Sequence, residues 1–154
     1  MYFSLLFLIA LLSGNASAWT SSNPVYDSGT SFADPMVLKA NDGWYYGYAT
    51  QSRVKGREAN VQCARSKDLQ HWEKLPDALP EKPEWANQRQ NFWAPHVSYF
   101  GDRYVMYVSI EQNEGGYCIG AGTSNDPKGP FRNFSRIVCG KDFENIDPMA
   151  FEDP

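Results

Sequence analysis

Asp34 and Asp147 each stand directly before a proline, and Ala94-Pro95 holds the corresponding place between them. Carboxylates that converge on one funnel suit hydrolysis of a glycosidic bond, which needs a base to activate water and an acid to protonate the leaving oxygen. In inverting enzymes the two carboxyls stand roughly 6.5–9.5 Å apart. The bland alternative is structural, because Asp before Pro often starts a turn by bonding its own backbone. Recurrence at equivalent places, with Phe92-Trp93 just ahead of the middle one, favours a site. Trp93, Phe92 and Phe32 are the candidate sugar-binding aromatics. Packing in a core is the competing fate of a Trp beside a strand.

The elements that must position these residues read as strands. Pro35 to Ala40 and Trp44 to Thr50 flank an Asp42-Gly43 turn, and the pattern returns as Pro95 to Phe100, a Gly101-Asp102 turn, and Arg103 to Ser109. Aromatic and β-branched residues on either side of such turns predict hairpins. Further strand-like material follows each hairpin, at Asn60 to Ala64 and Tyr117 to Ala121. Then comes an outer segment: Arg65 to Trp72 in the first unit and Thr123 to Phe131 in the second, with Trp72 and Phe131 in the same expected role over the sheet edge. A third unit opens at Asp147 to Phe151. The prolines recur after about 60 and then about 53 residues, a spacing that fits four-stranded blades with loops. An antiparallel sandwich with hairpins alike by chance is the alternative. No stretch has helical periodicity, and Glu81 to Gln90, which contains Pro83, reads as a loop. The fold class is therefore all-β, a β-propeller of which this sequence supplies about two blades and the start of a third. Two blades cannot close a ring of typically four to eight, so the natural chain is expected to continue.

Residues 1–18 read as a secretory signal, with an apolar run from Leu5 to Leu12 and small residues at Ala16-Ser17-Ala18, leaving a single domain over residues 19–154. That run is too short to span a bilayer, and no other apolar stretch approaches the length, so a secreted protein without membrane partners is expected. A net charge of −4 with scattered Lys and Arg argues against nucleic acid or an anionic membrane as partner. The aromatic content, 15%, suits an uncharged sugar, whose C–H groups pack on ring faces. Three cysteines allow at most one internal bridge, and Cys118 with Cys139, flanking one outer hairpin, is the pair expected. Their spacing has none of the short pairs of a zinc site, so no metal or cofactor is expected there. Asn133-Phe134-Ser135 is a glycosylation sequon.

Phe32-Ala33-Asp34-Pro35, Asp42-Gly43-Trp44-Tyr45-Tyr46, Phe92-Trp93-Ala94-Pro95-His96-Val97 and Ile146-Asp147-Pro148-Met149-Ala150-Phe151 together resemble the successive opening motifs of glycoside hydrolase family 43. The resemblance implies a five-bladed propeller that hydrolyses arabinose- or xylose-containing polysaccharides with inversion. Asp34 would be the general base and Asp147 the carboxylate that tunes the acid's pKa and orients it. The family's acid is a Glu on a later blade, which no residue here matches; Glu111, Glu114, Glu144 and Glu152 read as loop or surface charges. A structural cation on the propeller axis is compatible with the resemblance. His96 departs from it, standing where an acidic residue is common, and Ala33 leans toward the exo-acting branches. Retaining fructan hydrolases also use an early Asp, but after an Asn, where Ala33 stands here. The remaining alternative is a non-catalytic propeller that binds carbohydrate without the acid.

Overall fold

The computed structural model describes residues 26–89, 91–151 and 153. The expected signal segment therefore lies outside the described residues. Eight strands form two antiparallel four-stranded sheets in simple up-and-down order. The first blade comprises β1 (Met36–Lys39), β2 (Tyr45–Ala49), β3 (Gln62–Ser66) and β4 (Trp72–Leu75). The second comprises β5 (Phe92–Phe100), β6 (Arg103–Glu111), β7 (Tyr117–Ser124) and β8 (Arg132–Cys139). Segment 81–89 is a loop, and residues 147–151 carry no strand.

Turn chemistry fixes the register of each central hairpin. In the first blade Gly43 takes φ 78°, its N–H donates to the Ala40 carbonyl, and Asp42 Oδ1 accepts the Trp44 N–H at 3.0 Å. That turn sets Lys39 opposite Tyr45 and Met36 opposite Tyr48. Gly101, at φ 64°, plays the corresponding part between β5 and β6, where Phe100 faces Arg103. Phe92 and Trp93 belong to β5 itself, and the pairing slips between Trp93 and His96, so a bulge falls at Ala94-Pro95.

The core lies within and between the blades: Tyr48, Val61, Leu79, Phe92, Val97, Met106, Val108, Ile110 and Phe131 are fully buried in one cluster. Phe131 does not share the role of Trp72, contrary to the sequence reading. Its ring meets Tyr48 of the first blade edge-on at 6.2 Å, and its N–H donates to the Ala78 carbonyl. The aromatic that covers a sheet face in the second blade is Phe134. A Cβ at Gly122 would sit 2.4 Å from its ring, so only glycine admits it there. In the first blade Trp72 and Phe32 lie over Gly47 in the same fashion. Phe131 precedes β8, so strand alternation does not set its direction, and within β8 the pairing slips, Ala121 facing Ser135 but Thr123 facing Arg132.

Cys118 and Cys139 face each other across β7 and β8 and are joined in a disulfide, the pair expected from sequence. The bridge fastens the largely exposed outer strand to the blade. Cys63 is free and buried, and burial followed by the nearby Asp77 charge pushes its thiol up to about 12.

Candidate active site

Asp34, Ala94 and Asp147, the residues before the three repeated prolines, share one backbone state: φ is 51°, 44° and 57° respectively. Left-handed backbone is uncommon outside glycine; of the seven described non-glycine residues that adopt it, three are the residues before the repeated prolines, one structural position repeated blade by blade. Each opening is tied down by hydrogen bonds. Thr50, immediately after β2, donates its backbone N–H to the Ala33 carbonyl at 3.1 Å, and its hydroxyl reaches Asp34 Oδ2 at 2.8 Å. The Ala94 N–H donates to the same hydroxyl oxygen at 2.9 Å. One blade further on, the Asp147 N–H donates at 2.8 Å to Ser109 Oγ, a fully buried atom set. Both candidate carboxylates belong to exposed residues.

The candidate aromatics separate. Phe92 is fully buried in the core, so its proposed contact with sugar is corrected: its alternating position on β5 turns the ring inward. Phe32 is half-buried and meets Tyr26 edge-on at 5.1 Å in a cluster that also includes Trp72. Trp93 points into a different group, stacking on Tyr117 at 4.5 Å and on Phe143 at 5.9 Å. Tyr117 and Phe143 lie 5.5 Å apart, and Phe143 leaves 62% of its surface exposed. Three nearly parallel rings thus form an aromatic surface whose outer member faces solvent, a shape suited to the C–H face of a pyranose or furanose ring.

Three residues of this region, Arg53, Asn91 and Glu111, were not among the candidate site residues of the sequence reading. Glu111, read there as a loop or surface charge, is half-buried at the end of β6 and accepts a hydrogen bond from Asn91 Nδ2, while Arg53 donates to Asn91 Oδ1. The Asn91 and Phe92 N–H groups both donate to Gln51 Oε1, which ties the first blade to the second beside the aromatic stack. Burial, then the Glu111 charge, pushes the Tyr117 hydroxyl up to about 12, with Arg53 opposing. The signal for Glu111 was its place at the end of a hairpin strand; Asn91 and Arg53 carry no local pattern. Glu144 closes a small turn by accepting the Lys141 N–H, Glu114 is exposed, and Glu152 lies outside the described residues.

His96 is half-buried on β5. Burial lowers its pKa, and a hydrogen bond with the Ala150 backbone pulls the other way. The position therefore binds the start of the third unit to the second blade.

Two successive four-stranded antiparallel sheets in up-and-down order are the repeating blade of a β-propeller. The glycosyl hydrolases family 43 model matches residues 21–154, and the chain belongs to that family. Its two blades form part of a five-bladed propeller. An extracellular endo-α-(1→5)-L-arabinanase of Thermotoga petrophila is 29% identical over 130 residues, covering 74% of this chain and 26% of that protein. An α-L-arabinofuranosidase of Humicola insolens is 27% identical over 79 residues, 51% of this chain and 16% of the relative. A thermostable family-43 glycoside hydrolase of known structure superposes with TM-score 0.69 at 30% identity, over 87% of this chain and 41% of its own. The chain thus spans about a quarter of the arabinanase and about two fifths of that solved enzyme.

Proposed function

We propose that the protein carrying this sequence is a secreted inverting glycosidase that hydrolyses arabinose- or xylose-containing polysaccharides, with Asp34 as the general base. The observation that carries the reading is the Asp34 carboxylate at the opening of the first blade. Its Oδ2 is engaged by Thr50, and among the described residues Oδ1 takes no hydrogen bond. In this mechanism Oδ1 accepts a proton from water as the water oxygen attacks the anomeric carbon. The bond to the leaving oxygen breaks, and an acid from a later blade protonates that oxygen. Asp147 raises the acid's pKa and orients it, since a neighbouring negative charge disfavours ionisation. Trp93, with Tyr117 and Phe143 behind and beside it, lines the sugar path. Secretion rests on the signal-like residues 1–18 and on a relative named extracellular.

The test is release of p-nitrophenol from arabinofuranoside and xyloside substrates by the full-length protein, beside Asp34→Asn. Loss of a general base lowers kcat by about 10²–10⁴, and proton NMR of the first-formed sugar reads inversion directly. Full activity in Asp34→Asn overturns the base assignment. A folded parent that binds oligosaccharide without cleaving it turns the reading to a carbohydrate-binding propeller.

A further inference from the structure

We infer that Thr50 is a positioning residue for Asp34, and that its single hydroxyl couples the proposed base to the opening of the next blade. The inference rests on the reading of Asp34 as base.

The Thr50 oxygen sits between two groups from different blades, Asp34 Oδ2 at 2.8 Å and the Ala94 N–H at 2.9 Å. A hydroxyl carries one proton and two acceptor lone pairs. The Ala94 N–H can only donate, so it fills a lone pair, and the Thr50 proton goes to the carboxylate. That bond is charge-assisted and therefore among the stronger ones available to a neutral side chain. It fixes the rotation of the Asp34 carboxylate and presents Oδ1 outward.

Thr50 is itself held firmly. Its backbone N–H donates to Ala33, and its carbonyl accepts from Gln62 Nε2 at 2.7 Å. Gln62 is buried, donates also to the Ser31 carbonyl, and accepts from the Thr30 hydroxyl. The segment before Asp34 and the residue after β2 are thus bonded through one amide. Threonine's branched Cβ restricts its χ1, so the hydroxyl is placed by the backbone and needs little ordering when substrate arrives. The device is repeated one blade on, where Ser109 accepts the Asp147 N–H. There the hydroxyl holds the backbone of the second carboxylate residue; at Thr50 it holds the carboxylate as well. Arg53, three residues along, is engaged with Asn91 and leaves Thr50 as the group that grips Asp34.

Thr50→Val keeps shape and removes both hydrogen bonds; Thr50→Ser restores the hydroxyl. Steady-state kinetics of the full-length protein on an aryl arabinofuranoside, with Asp34→Asn alongside, reads the difference. The expected result is a fall in kcat of about tenfold to a hundredfold in Thr50→Val, the range for one hydrogen bond to a charged group. KM stays within about threefold, and Thr50→Ser recovers most of the activity. A purely structural role would lower active fraction without this split, and melting temperatures of each variant identify that case. If Thr50→Val does not fold, Thr50→Ala carries the same test. Thr50→Val with parental kcat while Asp34→Asn is inactive overturns this inference alone. Activity in Asp34→Asn overturns the base assignment and this inference together. Equal losses in the Val and Ser variants also overturn it.

Discussion

Replacing Phe131 by alanine should cost the folded protein more than replacing any other aromatic of the second blade's outer segment. The ring is fully buried and joins the blades through its edge-on contact with Tyr48. Phe→Ala at such a site costs about 3–5 kcal/mol, combining lost transfer energy with the cavity left behind. About 1 kcal/mol of that belongs to the aromatic pair. Against a total of about 5–15 kcal/mol for a folded domain, the loss is about a fifth or more. With a urea slope of about 2 kcal/mol/M, the midpoint should fall by roughly 1.5–2.5 M. Tryptophan fluorescence during urea titration of the full-length protein measures it. Phe134→Ala is the matched control: Phe134 is only half-buried over Gly120 and Gly122 and lies at the outer strand, so its loss should shift the midpoint less than half as far. A Phe131→Ala midpoint within about 0.5 M of the parent at unchanged slope, or a larger effect from Phe134→Ala, would refute the assignment of Phe131 to the inter-blade core.

Two further outcomes follow from other parts of the molecule. Removing the Cys118–Cys139 bridge by double serine substitution should destabilise the protein by about 3 kcal/mol, the chain-entropy value for a 21-residue separation, read as a lower urea midpoint without loss of the first blade's strands. His96 has its pKa lowered by burial, so the folded state favours the neutral ring. The stability this contributes is complete above the unfolded value of about 6.5 and is lost as pH falls below it toward the folded pKa. His96→Gln should therefore flatten the decline in melting temperature between about pH 7 and pH 5, and an unchanged slope would remove His96 from that dependence.

The strands and their order were legible because each depends on neighbours in sequence. Asp42-Gly43 and Gly101-Asp102 are turns flanked by strand-forming residues, and both hairpins close where those pairs fall. The equivalence of Asp34, Ala94 and Asp147 was legible too, since the prolines behind them repeat, and their shared left-handed backbone accords with it. The outer strand of the second blade was misread for a definable reason. Alternation assigns faces only while the phase holds, and the extra residue opposite Gly122 shifts it, with Asn133 at φ 56°. Phe134 lies over its own sheet, whereas Phe131, one residue ahead of β8 and outside its alternation, turns toward the first blade.

What sequence withheld at the site is of another kind. Thr50 has no periodicity that distinguishes it from any hydroxyl beside a strand; its importance arises only when the next blade brings the Ala94 N–H to the oxygen already facing Asp34. The Arg53, Asn91 and Glu111 group is equally non-local, its hydrogen bonds joining residues 38 and 20 positions apart. Phe143 lies in a segment without a strand pattern, yet its ring completes the stack on Trp93 and Tyr117. In a propeller each blade is specified locally but a site at the openings is assembled across blades. A sequence can therefore display the carboxylate at a blade opening while concealing the hydroxyl that the next blade brings to it.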